Sequence, residues 1–300
     1  MRSGKGEQAV QVLLAGLKCI CYLALFLGMQ VLVMMPVTLA AILQDGMTGG
    51  LVDDDALLST LTEYSMVYSF LSGMLTIAFV LVFYLIRRKK LSEALWLRRV
   101  PAPTLWVGAA VAPGLYVLVV IVLSILPSSW QDSYSEASSN LDGGGLFAVL
   151  AIALVAPVVE EFIFRGLIMT RLSRAMPGWL AVLLSAAIFG ACHVHPVWFA
   201  YAFVLGTVFG FMDLRAGSIL PSILGHVAFN SIGQIFSFLP ESESGIGEIV
   251  ALGIFLVVGI TAPILDRKAI AAMFRPAPKA APAQELPTAP ATYEFDPWDE

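Results

Sequence analysis

Three stretches of this chain place ionisable or amide side chains inside runs that are otherwise apolar. They are Glu160, Glu161 and Arg165 in VVEEFIFR (158–165), Phe189, His193 and His195 in FGACHVH (189–195), and His226 and Asn230 in GHVAFNS (225–231). These histidines are the only three in the sequence. Glu161 and Arg165 stand four apart, so on a helix they share a face and can pair. Glu160 is turned by about 100° from Glu161 at 3.6 residues per turn, so it points elsewhere and Arg165 does not cancel its charge directly. One glutamate reads as structural and its neighbour as free for chemistry. Phe189 with His193, and His226 with Asn230, repeat the four-residue spacing, which sets a ring beside one imidazole and an amide beside the other. A carboxylate in an apolar site can act as general base on water, and a histidine can share that role or donate a proton. His226 and Asn230 can supply hydrogen bonds to an oxyanion. Together these parts suit hydrolysis of an amide bond. Glu160, His193 and His226 could instead hold a zinc ion with an open position for water; no HExxH motif is present.

The elements that must position these groups are membrane helices. The chain has 300 residues, 58% hydrophobic and 13% charged, with mean hydropathy +0.84, whereas soluble domains carry roughly 25% charged residues. Several apolar runs reach the ~20 residues that cross a bilayer as a helix. The expected fold is all-α, a polytopic transmembrane helical bundle of about eight spans, at 9–43, 64–86, 104–127, 145–171, 179–195, 197–214, 218–238 and 246–265. The first run is too long for the apolar core of a cleaved signal peptide, about 7–15 residues, and reads as a retained helix with Pro36 as a kink site and Lys18 reaching for the interface. Counting ~1.5 Å per residue from the cytoplasmic ends puts Glu160, His226 and His193 roughly 16, 13 and 20 Å deep, compatible with one polar cavity among spans four, five and seven.

Charge supports the even span count. With the N-terminus in the cytoplasm, segments 1–8, 87–103, 172–178, 215–217 and 266–300 hold nearly all the Lys and Arg, and loops 44–63, 128–144 and 239–245 hold none. That is the positive-inside pattern. It divides the chain into N-terminal helices with a basic segment at 1–103, a core at 104–265 and a cytoplasmic tail at 266–300. Segment 91–103 reads as an amphipathic stretch along the interface, and 276–300, rich in Pro and Ala, as a disordered tail. A net charge of −5 implies no nucleic-acid partner. Cys19, Cys21 and Cys192 read as small buried hydrophobes rather than a disulfide framework.

EEFIFR (160–165), FGACH (189–193) and HVAFN (226–230) match, in order, the EExxxR, FxxxH and HxxxN patterns of the CPBP family, the CAAX prenyl proteases and bacteriocin-processing enzymes also called Abi proteins. The resemblance covers about 145–235. It implies a helical intramembrane endopeptidase, of glutamate or metalloprotease type, acting on a protein or peptide in the bilayer. It assigns water activation to Glu160 with His193, support of the site to Glu161 and Arg165, and the oxyanion to His226 and Asn230. Zinc is the cofactor the metalloprotease label would bring.

Two other functions use the same residues differently. A scaffold, chaperone or immunity protein retaining the fold would need the polar cluster only for helix packing; a proton-coupled transporter would show internal repeats, and the sequence has none. His195, two residues past His193 and followed by Pro196, points to another side and caps a helix end. Asp213 and Arg215 read as an interfacial pair. A compact eight-span chain suggests a multi-pass protein of the cell membrane, with both termini cytoplasmic.

Overall fold

A computed structural model describes residues 3–47, 64–139, 146–238, 246–265 and 271. The tail 276–300, the loop 239–245 and most of the acidic loop 44–63 lie outside the described residues. Among the described residues every regular element is helical. They are α1 (Ser3–Met47), α2 (Ser65–Ile86), α3 (Leu91–Ala94), α4 (Ala102–Ile125), α5 (Ser128–Ser139), α6 (146–175), α7 (Gly178–Ala191), α8 (Pro196–Ala216), α9 (Leu220–Ser237) and α10 (Ile246–Leu265).

Helices occupy all eight expected positions, as unbroken runs of Leu, Val, Ile, Ala and Phe require when no water is present to satisfy the backbone. Four segments are long and apolar enough by themselves to cross a membrane: Gly6–Ala40 within α1, then α2, α4 and α8. The chain is a helical membrane protein. Large side chains such as Leu85, Ile86 and Ile125 are 63–75% exposed, an arrangement suited to lipid rather than water. The helix of α1 runs on through Pro36. Prolines open α4, α8 and α9, where the missing N–H has no partner to lose.

Helix α6 departs from regular α geometry. Ala151–Val155 and Glu161–Met169 are π-helical, and such segments loosen the turn and cluster at functional sites. Neighbouring helices satisfy the carbonyls there: Asn230 Nδ2 donates to Ile152 O at 2.9 Å, and Ser185 Oγ to Phe164 O at 2.7 Å. Helix α9 lies along α4 and against the first π segment, while α7 and α8 form an antiparallel hairpin. The crossing of α4 and α9 depends on Gly225, where a Cβ would fall 2.9 Å from Gly108 O and 2.8 Å from the Phe209 ring. His226 is the next residue, so this close approach sets its height against α6.

Three local differences from the sequence reading have physical causes. Between residue 91 and the start of α4 at Ala102 only the four-residue α3 forms, because Leu95 turns inward to full burial and Trp96 O accepts Ile219 N at 3.1 Å. The loop 128–144 contains α5, an amphipathic helix with no buried residue. Of the cysteines only Cys19 is buried; Cys21 and Cys192 are exposed, and all three are free thiols.

Candidate active site

The site forms where the second π segment of α6 faces α7 and α9. Glu161 and Arg165 have side chains 0% and 1% exposed, and Arg165 Nε lies 3.1 Å from Glu161 Oε2. The expected i,i+4 pair therefore forms in full burial. The guanidinium also lies over the Phe189 ring, 4.6 Å from its centroid, a cation–π contact that strengthens when water is excluded. On its other side, α8 passes so closely that a Cβ on Gly206 would stand 3.1 Å from Arg165 Nη2.

The imidazole of His226 is held between the two glutamates. Its Nδ1 lies 2.8 Å from Glu161 Oε1, and its Nε2 lies 3.6 Å from Glu160 Oε2. A carboxylate facing Nδ1 can only accept, so Nδ1 carries a hydrogen. Arg165 pairs with Glu161, as the spacing leads one to expect, but Glu160 does not point wholly elsewhere: it reaches the same imidazole as Glu161. Two residues about 100° apart on a helix still reach one imidazole, because its two nitrogens face opposite sides. Glu160's side chain is 20% exposed, so the cluster is sealed at Glu161 and partly open at Glu160.

His193 is linked to this group through Phe189. Helix α7 ends at Ala191, not near His195, and His193 stands in the turn that follows. Its Nδ1 lies 2.9 Å from Phe189 O; the carbonyl accepts, which leaves Nε2 with a lone pair directed away from the backbone. The Phe189 ring touches both imidazoles edge-on, at 4.8 Å to His193 and 5.8 Å to His226. Phe189 is thus the hub between Arg165 and the two histidines, a role the FxxxH spacing shows only for His193. Asn230 also faces α6, but its amide is committed to Ile152 O. It ties α9 to the first π segment and keeps one N–H in hand.

Two residues lie elsewhere than expected. His195 caps the start of α8 rather than the end of α7: Val197 N donates to its Nδ1 at 3.3 Å, and Ser133 of α5 contacts its Nε2 at 3.1 Å. Substituting His195→Ala is expected to cost about 1 kcal/mol of stability as a lost cap while leaving activity unchanged; thermal melting and turnover on one sample check both. Asp213 is fully buried, not interfacial, and its Oδ1 accepts Ser222 N at 3.2 Å. A carboxylate there completes the first turn of α9, whose N–H groups lack partners. The signal missed in the sequence is Pro221, which starts a helix without a capping side chain of its own.

The turn between α7 and α8 is strained. Val194 adopts φ +60° and is 89% exposed, a conformation that β-branched residues avoid. Since its side chain packs against little, Val194→Gly is expected to raise stability by about 1 kcal/mol, read as a higher melting temperature; a lower one would mean the valine makes contacts that hold the turn.

Glu160, His193 and His226 do not close into a zinc set. Among the described residues no three His, Cys, Asp or Glu side chains come together as metal ligands.

Comparison with known proteins converges on the same segment. Residues 142–232 match the family described as type II CAAX prenyl endopeptidase Rce1-like. A Bacillus subtilis (strain 168) protein named putative membrane peptidase YdiL is 27% identical over 113 residues, 36% of this chain and 46% of that protein. An Escherichia coli protein named uncharacterized 24.3 kDa protein is 27% identical over 96 residues, 30% of this chain and 44% of its own length. The matches thus span under half the length of these relatives. No solved structure matches. The segment that carries Glu160, His193 and His226 is thus the one that resembles the CAAX prenyl endopeptidases of the Rce1-like type.

Proposed function

We propose that the protein is an intramembrane endopeptidase that hydrolyses a peptide bond of a membrane-associated protein or peptide. The observation that carries this reading is the unequal treatment of two adjacent carboxylates. Glu161 is buried and committed to Arg165 and His226, whereas Glu160 meets His226 at 3.6 Å from a partly open position. A pair serving packing alone would gain nothing from leaving one member open.

In this mechanism Glu160 takes a proton from water as the water oxygen bonds to the scissile carbonyl carbon. His193 Nε2, aimed by the Phe189 carbonyl, accepts the water's other hydrogen bond. When the C–N bond breaks, the proton held on Glu160 passes to the leaving nitrogen, giving an acid and an amine. In this reading His226, carrying a hydrogen on Nε2 as well as on Nδ1, and the remaining N–H of Asn230 donate to the carbonyl oxygen as it becomes negative. Glu161 and Arg165 fix the His226 ring, so those donors need no reorganisation. No step of this reading runs through zinc, which accords with the absence, among the described residues, of three side chains gathered to hold it. A chelator is expected to leave turnover unchanged; loss of activity restored by added zinc would contradict this.

The core of this enzyme is 104–265, and its setting is the cell membrane with both termini in the cytoplasm, the side whose segments hold nearly all of the Lys and Arg. The experiment compares protein and peptide termini in cells carrying wild-type chain or Glu160→Gln at equal abundance. Termini found only with the wild type support proteolysis and point to the substrate. Identical termini, under conditions where loss of the chain gives a phenotype that Glu160→Gln rescues, would favour a scaffold.

A further inference from the structure

A second polar centre lies apart from the active site. A cavity of about 180 Å³ opens between the N-terminal half of α1, the end of α2, the α2–α3 loop and the end of α6. Its lining includes six cationic residues, Lys18, Arg87, Lys89, Lys90, Arg171 and Arg174, against one carboxylate, Glu93. That carboxylate is engaged by Lys90 at 3.5 Å.

Arg171 is the unusual member. It is 8% exposed, and no carboxylate among the described residues pairs with it. Two tyrosines hold its guanidinium: Nε donates to Tyr22 Oη at 3.3 Å and Nη2 to Tyr84 Oη at 3.1 Å. Its Nη1 is buried without a hydrogen-bond partner. A buried guanidinium with neither counter-ion nor full hydrogen bonding is costly, and here two aromatic hydroxyls orient it with donors to spare. A planar fork among several other cations is what recognises a phosphate group.

The setting favours a lipid as the source of that phosphate. The apolar surface of α2 ends at Ile86, 75% exposed, and the charges begin at Arg87. On α1, Leu14 and Leu17 beside Lys18 are 38% and 51% exposed. The cavity therefore stands at the level where lipid-facing side chains give way to charged ones, the level of headgroups.

We propose that this cavity is a phosphate-binding site for the headgroup of an anionic phospholipid, with Arg171 as its buried anchor. The proposal does not rest on the catalytic reading, and Glu160→Gln should leave it intact.

The test uses the full chain, purified in uncharged detergent and stripped of lipid, with lipid adducts counted by native mass spectrometry. Phosphatidylglycerol and phosphatidylcholine are the probes, with inorganic phosphate as competitor. The expected result is a preference of about ten-fold for phosphatidylglycerol, lost in Arg171→Gln and reduced in Lys18→Gln, but kept in Arg99→Gln, an exposed cation outside the cavity. Lys18→Gln removes a half-buried charge, so it keeps the test readable should Arg171→Gln fail to fold. Retention of the adduct in millimolar phosphate supports the lipid as ligand. Displacement by phosphate, with phosphate binding in its own right, overturns the lipid assignment and leaves a soluble phosphate compound as the ligand. Equal binding of the two lipids, or equal loss in Arg99→Gln, overturns the site altogether.

Discussion

Replacing Glu160 by glutamine is expected to lower peptide-bond cleavage by about 10³-fold, within the range for loss of a general base, while leaving the melting temperature in place. Glutamine keeps the shape but cannot take a proton from water. Its cost to the fold should be small, because Glu160 is partly exposed and reaches His226 only at 3.6 Å. Its neighbour should behave differently. Glu161→Gln loses a carboxylate that serves both Arg165 and His226 in full burial, so activity and stability should fall together. Turnover and melting temperature measured on both variants separate the roles. If Glu160→Gln melts as early as Glu161→Gln, both glutamates are structural.

Arg165→Met is expected to destabilise the protein by about 3–5 kcal/mol, the range for breaking a buried ion pair from one side. Methionine fills much of the volume and can still pack on Phe189. What it cannot do is neutralise Glu161, which then sits buried without the guanidinium that faces it. Adding Glu161→Gln should recover part of the loss, since an uncompensated buried charge costs more than a neutral amide. Equilibrium unfolding in detergent–SDS mixtures reads both variants. A loss below about 1 kcal/mol for Arg165→Met would mean that the pair is hydrated and resembles a surface ion pair.

The sequence is a good guide wherever a contact is local. Helix positions follow from apolar runs that have only one way to satisfy their backbone in lipid. The Glu161–Arg165 pair follows from four-residue spacing on one helix, and the Phe189–His193 ring contact keeps that spacing although His193 stands in the turn just past α7. It is a poorer guide wherever three elements meet. The grip of both glutamates on His226 depends on how closely α9 approaches α6, and that is set by Gly225 against α4. The π segments of α6 are likewise tertiary: Asn230 and Ser185, from α9 and α7, satisfy the carbonyls involved. The burial of Asp213 depends on α9 needing a cap from α8. The early end of α7 depends on a turn held partly by the His195 contacts with α5 and α8.

The most direct test of the central claim is cleavage by purified protein. The peptide whose terminus depends on the wild-type chain would be presented to reconstituted wild-type and Glu160→Gln proteins, both shown to melt at the same temperature. Cleavage at that terminus by the wild type, reduced about 10³-fold in Glu160→Gln, is the predicted result. Equal cleavage by the two would remove Glu160 as the base, and with it this account of the site.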